Sequence, residues 1–79
     1  METQKFFYSF PKNESEEVRC SVRRYKDRAY LDLRVWFEPS EGGEYRPTKK
    51  GLTLGVEFLP ELRKALDAIP DEALALVEQ

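Results

Sequence analysis

An α+β domain, an antiparallel sheet followed by a C-terminal helix, is the fold class that the sequence predicts, and three patterns predict it. Apolar residues alternate singly through EVRCSVRRY and again through AYLDLRVWF, the period of half-buried strands. Only KDR separates the two runs, so they read as a hairpin. From Phe58 onward the apolar residues recur instead at three- and four-residue spacing, the stripe of an amphipathic helix. No repeat or low-complexity segment interrupts this order, and 79 residues allow one domain, 1–79, with a thin core.

Taken in order, KFFYSF is aromatic enough for an edge strand and equally compatible with an irregular arm, so residues 1–16 keep both readings. Along the first clear strand Val18, Cys20 and Val22 point inward, against Arg19, Ser21 and Arg23 outward. Along the second, Leu31, Leu33 and Val35 oppose Tyr30, Asp32, Arg34 and Trp36. EPSEGGEY, with Pro39, Gly42 and Gly43, is a loop. Tyr45 and Arg46 fit a short third strand, RPTKKG a basic loop, and GLTLG a fourth strand with Leu52 and Leu54 inward; the sheet thus occupies 17–55. Residues 56–79 form a helical C-terminus whose stripe of Phe58, Leu59, Leu62, Ala65, Leu66 and Ile69 covers one sheet face. Pro60 suits a first turn, Pro70 stops the helix, and Asp71 and Glu72 suit the start of a second short piece over 70–77.

The formal net charge is −2, yet it is unevenly spread. Residues 19–50 carry nine Lys and Arg against five acids, a net +4, whereas 1–18 carry a net −2 and 51–79 a net −4. A basic middle between acidic ends suggests a polyanion-binding face on an otherwise acidic domain.

Several function classes lose their usual residues. The chain has no histidine, which removes the common proton carrier at neutral pH and the common metal ligand. A single cysteine, Cys20, leaves no intrachain disulfide, redox pair or thiolate metal cluster, and reads as a small buried hydrophobe. Phosphate loops and dinucleotide turns are missing, Ser21 has no base to activate it, and Asp32 reads as a cross-strand partner for an arginine. No apolar run approaches the ~20 residues of a membrane span, and METQKFFYSFPKNESEE does not read as a secretory signal. The expectation is a cytoplasmic binding module, with no enzyme activity and no cofactor or metal. Cations interleaved with Tyr25, Tyr30, Trp36 and Tyr45 on strands are what single-stranded nucleic acid requires, since phosphates need charge and unpaired bases need flat apolar partners.

The stretch RRYKDRAYLDLRVWFEPSEGGEYRPTKKGLTL resembles the DNA-binding core of the positive cofactor four family of transcriptional coactivators, including its bacterial single-strand-binding members. The match runs over roughly residues 18–66 through three linked motifs: YKDR, LDLRVW and RPTKKGLTL. The resemblance implies a curved four-stranded antiparallel sheet followed by a helix, in a two-fold homodimer joined through Leu59, Leu62, Leu66 and Ile69. It also implies single-stranded DNA across the strands and loops, contacted by Arg23, Tyr25, Lys26, Arg28, Arg34, Arg46, Lys49, Lys50 and Gly51. The family's stacking tryptophan aligns with Phe37, but alternation puts Trp36 on the Arg34 face, which favours Trp36 as the stacker with Phe37 as the alternative. The serine- and lysine-rich tail of eukaryotic members is not found, which points to a bacterial or phage member, nucleoid-associated if bacterial. The expected function is single-stranded DNA binding with little sequence specificity, in coactivator-like, replication or repair work with protein partners from those processes. The alternatives are an adaptor of the transcription machinery acting through the acidic ends, and single-stranded RNA binding.

Overall fold

The structure, a computed structural model, describes residues 3–78. Four strands, β1 (Thr3–Pro11), β2 (Glu16–Tyr25), β3 (Arg28–Phe37) and β4 (Arg46–Gly55), form an open antiparallel sheet in chain order. A 3-10 turn (Val56–Phe58) leads into α1 (Leu59–Asp67), and a short α2 (Ala73–Val77) ends the chain. KFFYSF therefore lies in a full edge strand.

Local chemistry sets the turns. Between β1 and β2 the Asn13 side chain accepts from the amides of Ser15 and Glu16 at 3.0 and 2.9 Å, closing the turn with a side-chain mimic of the backbone. Between β2 and β3 only Lys26 and Asp27 separate the paired Tyr25 and Arg28. Lys26 takes the left-handed conformation, φ 57°, that so tight a turn demands. This turn fixes the hairpin register, setting Arg19 opposite Arg34, Ser21 opposite Asp32 and Arg23 opposite Tyr30.

Two irregularities re-aim side chains. On β1 the register slips between Phe6 and Tyr8, so Phe6 pairs with Ser21 while Tyr8 pairs with Cys20. Phe7 is the extra residue, and because side chains alternate, Gln4 and Phe6 share the Ser21 face while Tyr8 and Phe10 join the Cys20 face. On β4, Pro47 pairs with Trp36 and Gly51 with Arg34, so three residues, Thr48 to Lys50, span the interval that Val35 alone spans on β3. The basic segment read from sequence as a loop is thus a bulged stretch of one continuous strand. Proline is tolerated there because β4 is an edge strand. At Gly51, φ 156°, a Cβ would stand 2.5 Å from the Leu33 carbonyl oxygen and 2.7 Å from the Arg34 Cα, so only glycine lets β4 approach β3 after the bulge.

The two faces of the sheet differ sharply. The side holding Val22, Leu31 and Leu33 is apolar, and Leu31 is its one fully buried hydrophobic residue among those described. The sequence predicts that the helix covers this face, but the helical segment starts at the end of β4, and Val56 of the 3-10 turn with Leu59 and Arg63 of α1 borders a hollow lined by Phe7, Cys20, Val22 and Leu31. Leu66 and Ile69 remain 54% and 58% exposed. The chain is accordingly flat, 18 Å in its thinnest dimension, with a radius of gyration of 15.1 Å where a compact chain of this length has about 12 Å.

Candidate nucleic-acid interface

The opposite face is polar, and its floor is a row that crosses all four strands. Gln4 donates from Nε2 to Ser21 Oγ at 3.0 Å, Ser21 lies opposite Asp32, and Thr53, opposite Asp32 on β4, donates from Oγ1 to Asp32 Oδ1 at 2.6 Å. Ser21 and Asp32 are each 1% exposed, more buried than any hydrophobic residue described. A carboxylate so enclosed needs a compensating charge, and Arg34 supplies it. Its Nε lies 3.1 Å from Oδ2 and its Nη2 2.9 Å from Oδ1, with Arg23 Nη1 farther off at 3.9 Å. Burial works to raise the Asp32 pKa, but hydrogen bonds from Arg34 and Thr53 and the charges of Arg34 and Arg23 outweigh it and hold the carboxyl below its ordinary range. The hydrogen bond to Asp32 in turn holds the Arg34 guanidinium above its ordinary pKa. The sequence predicts a cross-strand arginine; the principal partner sits instead two residues on along the same strand, because residues i and i+2 of a strand share a face.

Arg19 and Arg34 face each other directly in the ladder, an arrangement that like charges disfavour. They turn apart. Arg34 leans to Asp32, while Arg19 donates from Nε to Glu17 Oε1 at 2.6 Å and lays its guanidinium 4.5 Å from the Trp36 ring centroid. Phe6 and Tyr45 each lie 5.3 Å from the same guanidinium, and Phe6 meets Trp36 edge-on at 5.4 Å. These side chains, with Gln4 and Glu44, line a shallow hollow of about 520 Å³. Trp36 Nε1 is buried there with no hydrogen-bond partner among the described residues. A second hollow, about 230 Å³, lies beyond the polar row between Arg23, Tyr25, Tyr30 and Thr53.

The register thus gathers Arg23, Tyr25, Arg28, Arg34 and Trp36 on one face, with Lys26 at the hairpin turn, its Nζ 5.4 Å from the Tyr25 ring centroid. Lys49 and Lys50 project from the β4 bulge and are exposed. Phe37 and Arg46 pair with each other and by alternation lie on the apolar side, so of the neighbours Trp36 and Phe37 it is Trp36 that joins Tyr25 and Tyr30 on the cation face. Sequence reading did not single out Phe6, Arg19 and Tyr45 as a group. Arg19 could have been found by counting back from the two-residue turn, which sets Glu17 opposite Trp36 and Arg19 beside it. Phe6 could not, because the slip at Phe7 leaves no signal in the alternation.

The family described as Transcriptional Coactivator p15 (PC4) matches residues 12–65. No curated protein matches the sequence. Among solved structures, a PC4 homologue of Burkholderia pseudomallei superposes with a TM-score of 0.76 in its tetragonal crystal form at 26% identity, covering 84% of this chain and 96% of that one. Its orthorhombic form gives 0.73 at 26% identity over 98% and 95% of the two chains. The bacteriophage T5 homologue of the eukaryotic coactivator PC4, described as implicated in recombination-dependent DNA replication, gives 0.66 at 25% identity over 98% and 85%. With 54 of its 79 residues matched and the same open sheet followed by a helix, this chain belongs to the PC4 family.

Proposed function

We propose that this protein binds single-stranded DNA with little preference for base sequence, as a homodimer, through the polar face of its sheet. The observation that carries the reading is the register that sets Arg23, Arg28, Tyr25, Tyr30 and Trp36 on one face, with Lys49 and Lys50 exposed on the β4 bulge. Guanidinium and ammonium groups attract phosphate, and rings among them offer stacking surfaces that only unpaired bases can use. A duplex reader would more commonly present a helix to the major groove, and α1 here offers Arg63 and Lys64 against Glu61 and Asp67. The dimer is supported by the other face. Leu59, Leu62, Leu66 and Ile69 form one stripe on and just beyond α1, the protomer leaves much of that stripe exposed, and a second copy would cover it. Transcription, replication or repair is the setting in which such a protein finds its substrate.

Fluorescence anisotropy on one 20-mer, prepared as single-stranded DNA, duplex DNA and RNA, tests the reading. Single-stranded DNA should bind tighter than duplex, and with about five phosphate contacts per protomer log K should fall with log salt at a slope of about −3.5 per protomer. Equal affinity for duplex and single strand would end the proposal, and tighter RNA binding would reassign the substrate.

A further inference from the structure

Arg34 points at the centre of the cation face, yet its guanidinium is already committed to the protein. Besides the two contacts to Asp32, its Nη2 lies 3.0 Å from Thr53 Oγ1 and its Nη1 donates to the Thr48 carbonyl oxygen at 3.0 Å. All three guanidinium nitrogens are engaged, and the side chain is 18% exposed. Thr48 is the inward residue of the β4 bulge. Its hydroxyl donates to the Val35 carbonyl at 2.8 Å and accepts from the Lys50 amide at 3.1 Å. The two residues that follow Thr48 out of the ladder are Lys49 and Lys50, and neither forms an ion pair with a described residue.

We infer that Arg34 is a positioning residue, anchored on buried Asp32, which holds the Thr48 carbonyl and so fixes the bulge from which Lys49 and Lys50 reach phosphate; the effect on binding rests on the single-strand reading above, whereas the effect on the bulge does not. The physical reason is that a bulge carries backbone groups that the ladder cannot pair. Left to water, three residues spanning the interval of one would sample many conformations, and two long lysine side chains would bind phosphate only after that freedom is lost. Arg34 removes it in advance, because a planar guanidinium can bridge a carboxylate and a carbonyl at once. Lysine, a single compact charge, cannot span both.

Arg34→Lys and Arg34→Met therefore separate positioning from direct contact, alone and combined with Lys49→Ala/Lys50→Ala. If Arg34 met phosphate directly, Arg34→Lys would retain most of the affinity, and losses from Arg34 and from the lysines would add. For a positioning residue, both variants should weaken single-strand binding about as much as the double lysine change, and neither should weaken it further once the lysines are alanine. Independently of any DNA, amide hydrogen exchange at Lys50 should accelerate by roughly tenfold or more in Arg34→Lys, while amides of the β1–β2 pair keep their rates. Unchanged Lys50 exchange in a variant that melts like the parent, or additive losses in binding, would overturn the inference. Should Arg34→Met fail to fold, Arg34→Lys decides alone. A parent protein with no affinity for single strands would refute the proposed function, and the exchange rates would still decide whether Arg34 holds the bulge.

Discussion

The two faces of this sheet invert the usual relation between polarity and burial. On the polar face, Ser21 and Asp32 are 1% exposed and hydrogen-bonded across the strands; on the apolar face, Phe7 and Tyr8 are 61% and 69% exposed. Polar groups are costly to bury unless satisfied, and the Gln4–Ser21–Asp32–Thr53 row with Arg34 satisfies them within one chain. Apolar groups are costly to leave in water, and the described residues cover this face only in part. The contrast teaches that the chain satisfies the polar groups of one face by itself and leaves much of the other, apolar face in water, where its short helix α1 (Leu59–Asp67) does not reach.

The change that should break this contrast most completely is Leu66→Glu. Placing a charge in the exposed stripe of α1 should yield a monomer or an unstable chain by sedimentation, with binding of a 20-mer sharply reduced and, in a folded monomer, binding of short oligonucleotides retained. A parent protein that sediments as a monomer at tens of micromolar, and still binds long strands tightly, would remove association from the account.

On the polar face the largest effect belongs to Asp32. Asp32→Ala leaves Arg34 partly buried without its anion and should cost about 3 kcal/mol by denaturant unfolding. Acid should act in the same direction. The folded pKa lies below the unfolded value, so the carboxylate's contribution is complete above the unfolded pKa of about 3.9 and is lost as pH falls below it through the folded pKa. Asp32→Asn should flatten that part of the stability profile, and an unaltered profile would assign acid sensitivity to other carboxylates.

Smaller changes sharpen the division between folding and binding. Lys49→Glu with Lys50→Glu should lower single-strand affinity by at least about tenfold, by loss of two of the ~0.7-per-contact terms in the salt slope, and shift the melting midpoint little. Lost folding would show that the lysines are structural. Smallest of all, Lys26→Gly relieves the left-handed backbone at φ 57° and should stabilise the protein by about 0.5 kcal/mol, since a strain of ~1–2 kcal/mol is offset by glycine's greater freedom when unfolded. The same change should weaken binding by one phosphate contact, so that stability and affinity move in opposite directions.

What could be read from sequence follows the regularity of each strand. β2 and β3 alternate without interruption and are joined by two residues, so their faces, their register and the placement of Trp36 on the Arg34 side were all legible. The helix was legible from its spacing, with Pro60 in its first turn. β1 was not, because the single extra residue at Phe7 inverts every side chain beyond it; of β4 only the end carrying Leu52 and Leu54 was legible, because at Thr48–Lys50 three residues stand where β3 has one. KFFYSF therefore kept two readings, and RPTKKG, with a proline and three cations, read as a loop. The cation pattern named Arg34 but could not tell that all three of its guanidinium nitrogens already make hydrogen bonds inside the protein. That depends on Thr53, whose pairing with Asp32 no alternation specifies, and on Thr48, in the bulge that sequence reading took for a loop.

The stacking of Arg19 on Trp36 has a consequence for observation. Trp36 is the chain's single tryptophan, so all indole emission originates from the hollow it shares with Phe6, Arg19 and Tyr45. Its wavelength and intensity respond to whatever displaces the guanidinium from the ring or reaches the unpartnered Nε1. The protein thus carries a built-in optical probe at one known point of its sheet, readable without any label attached to the chain.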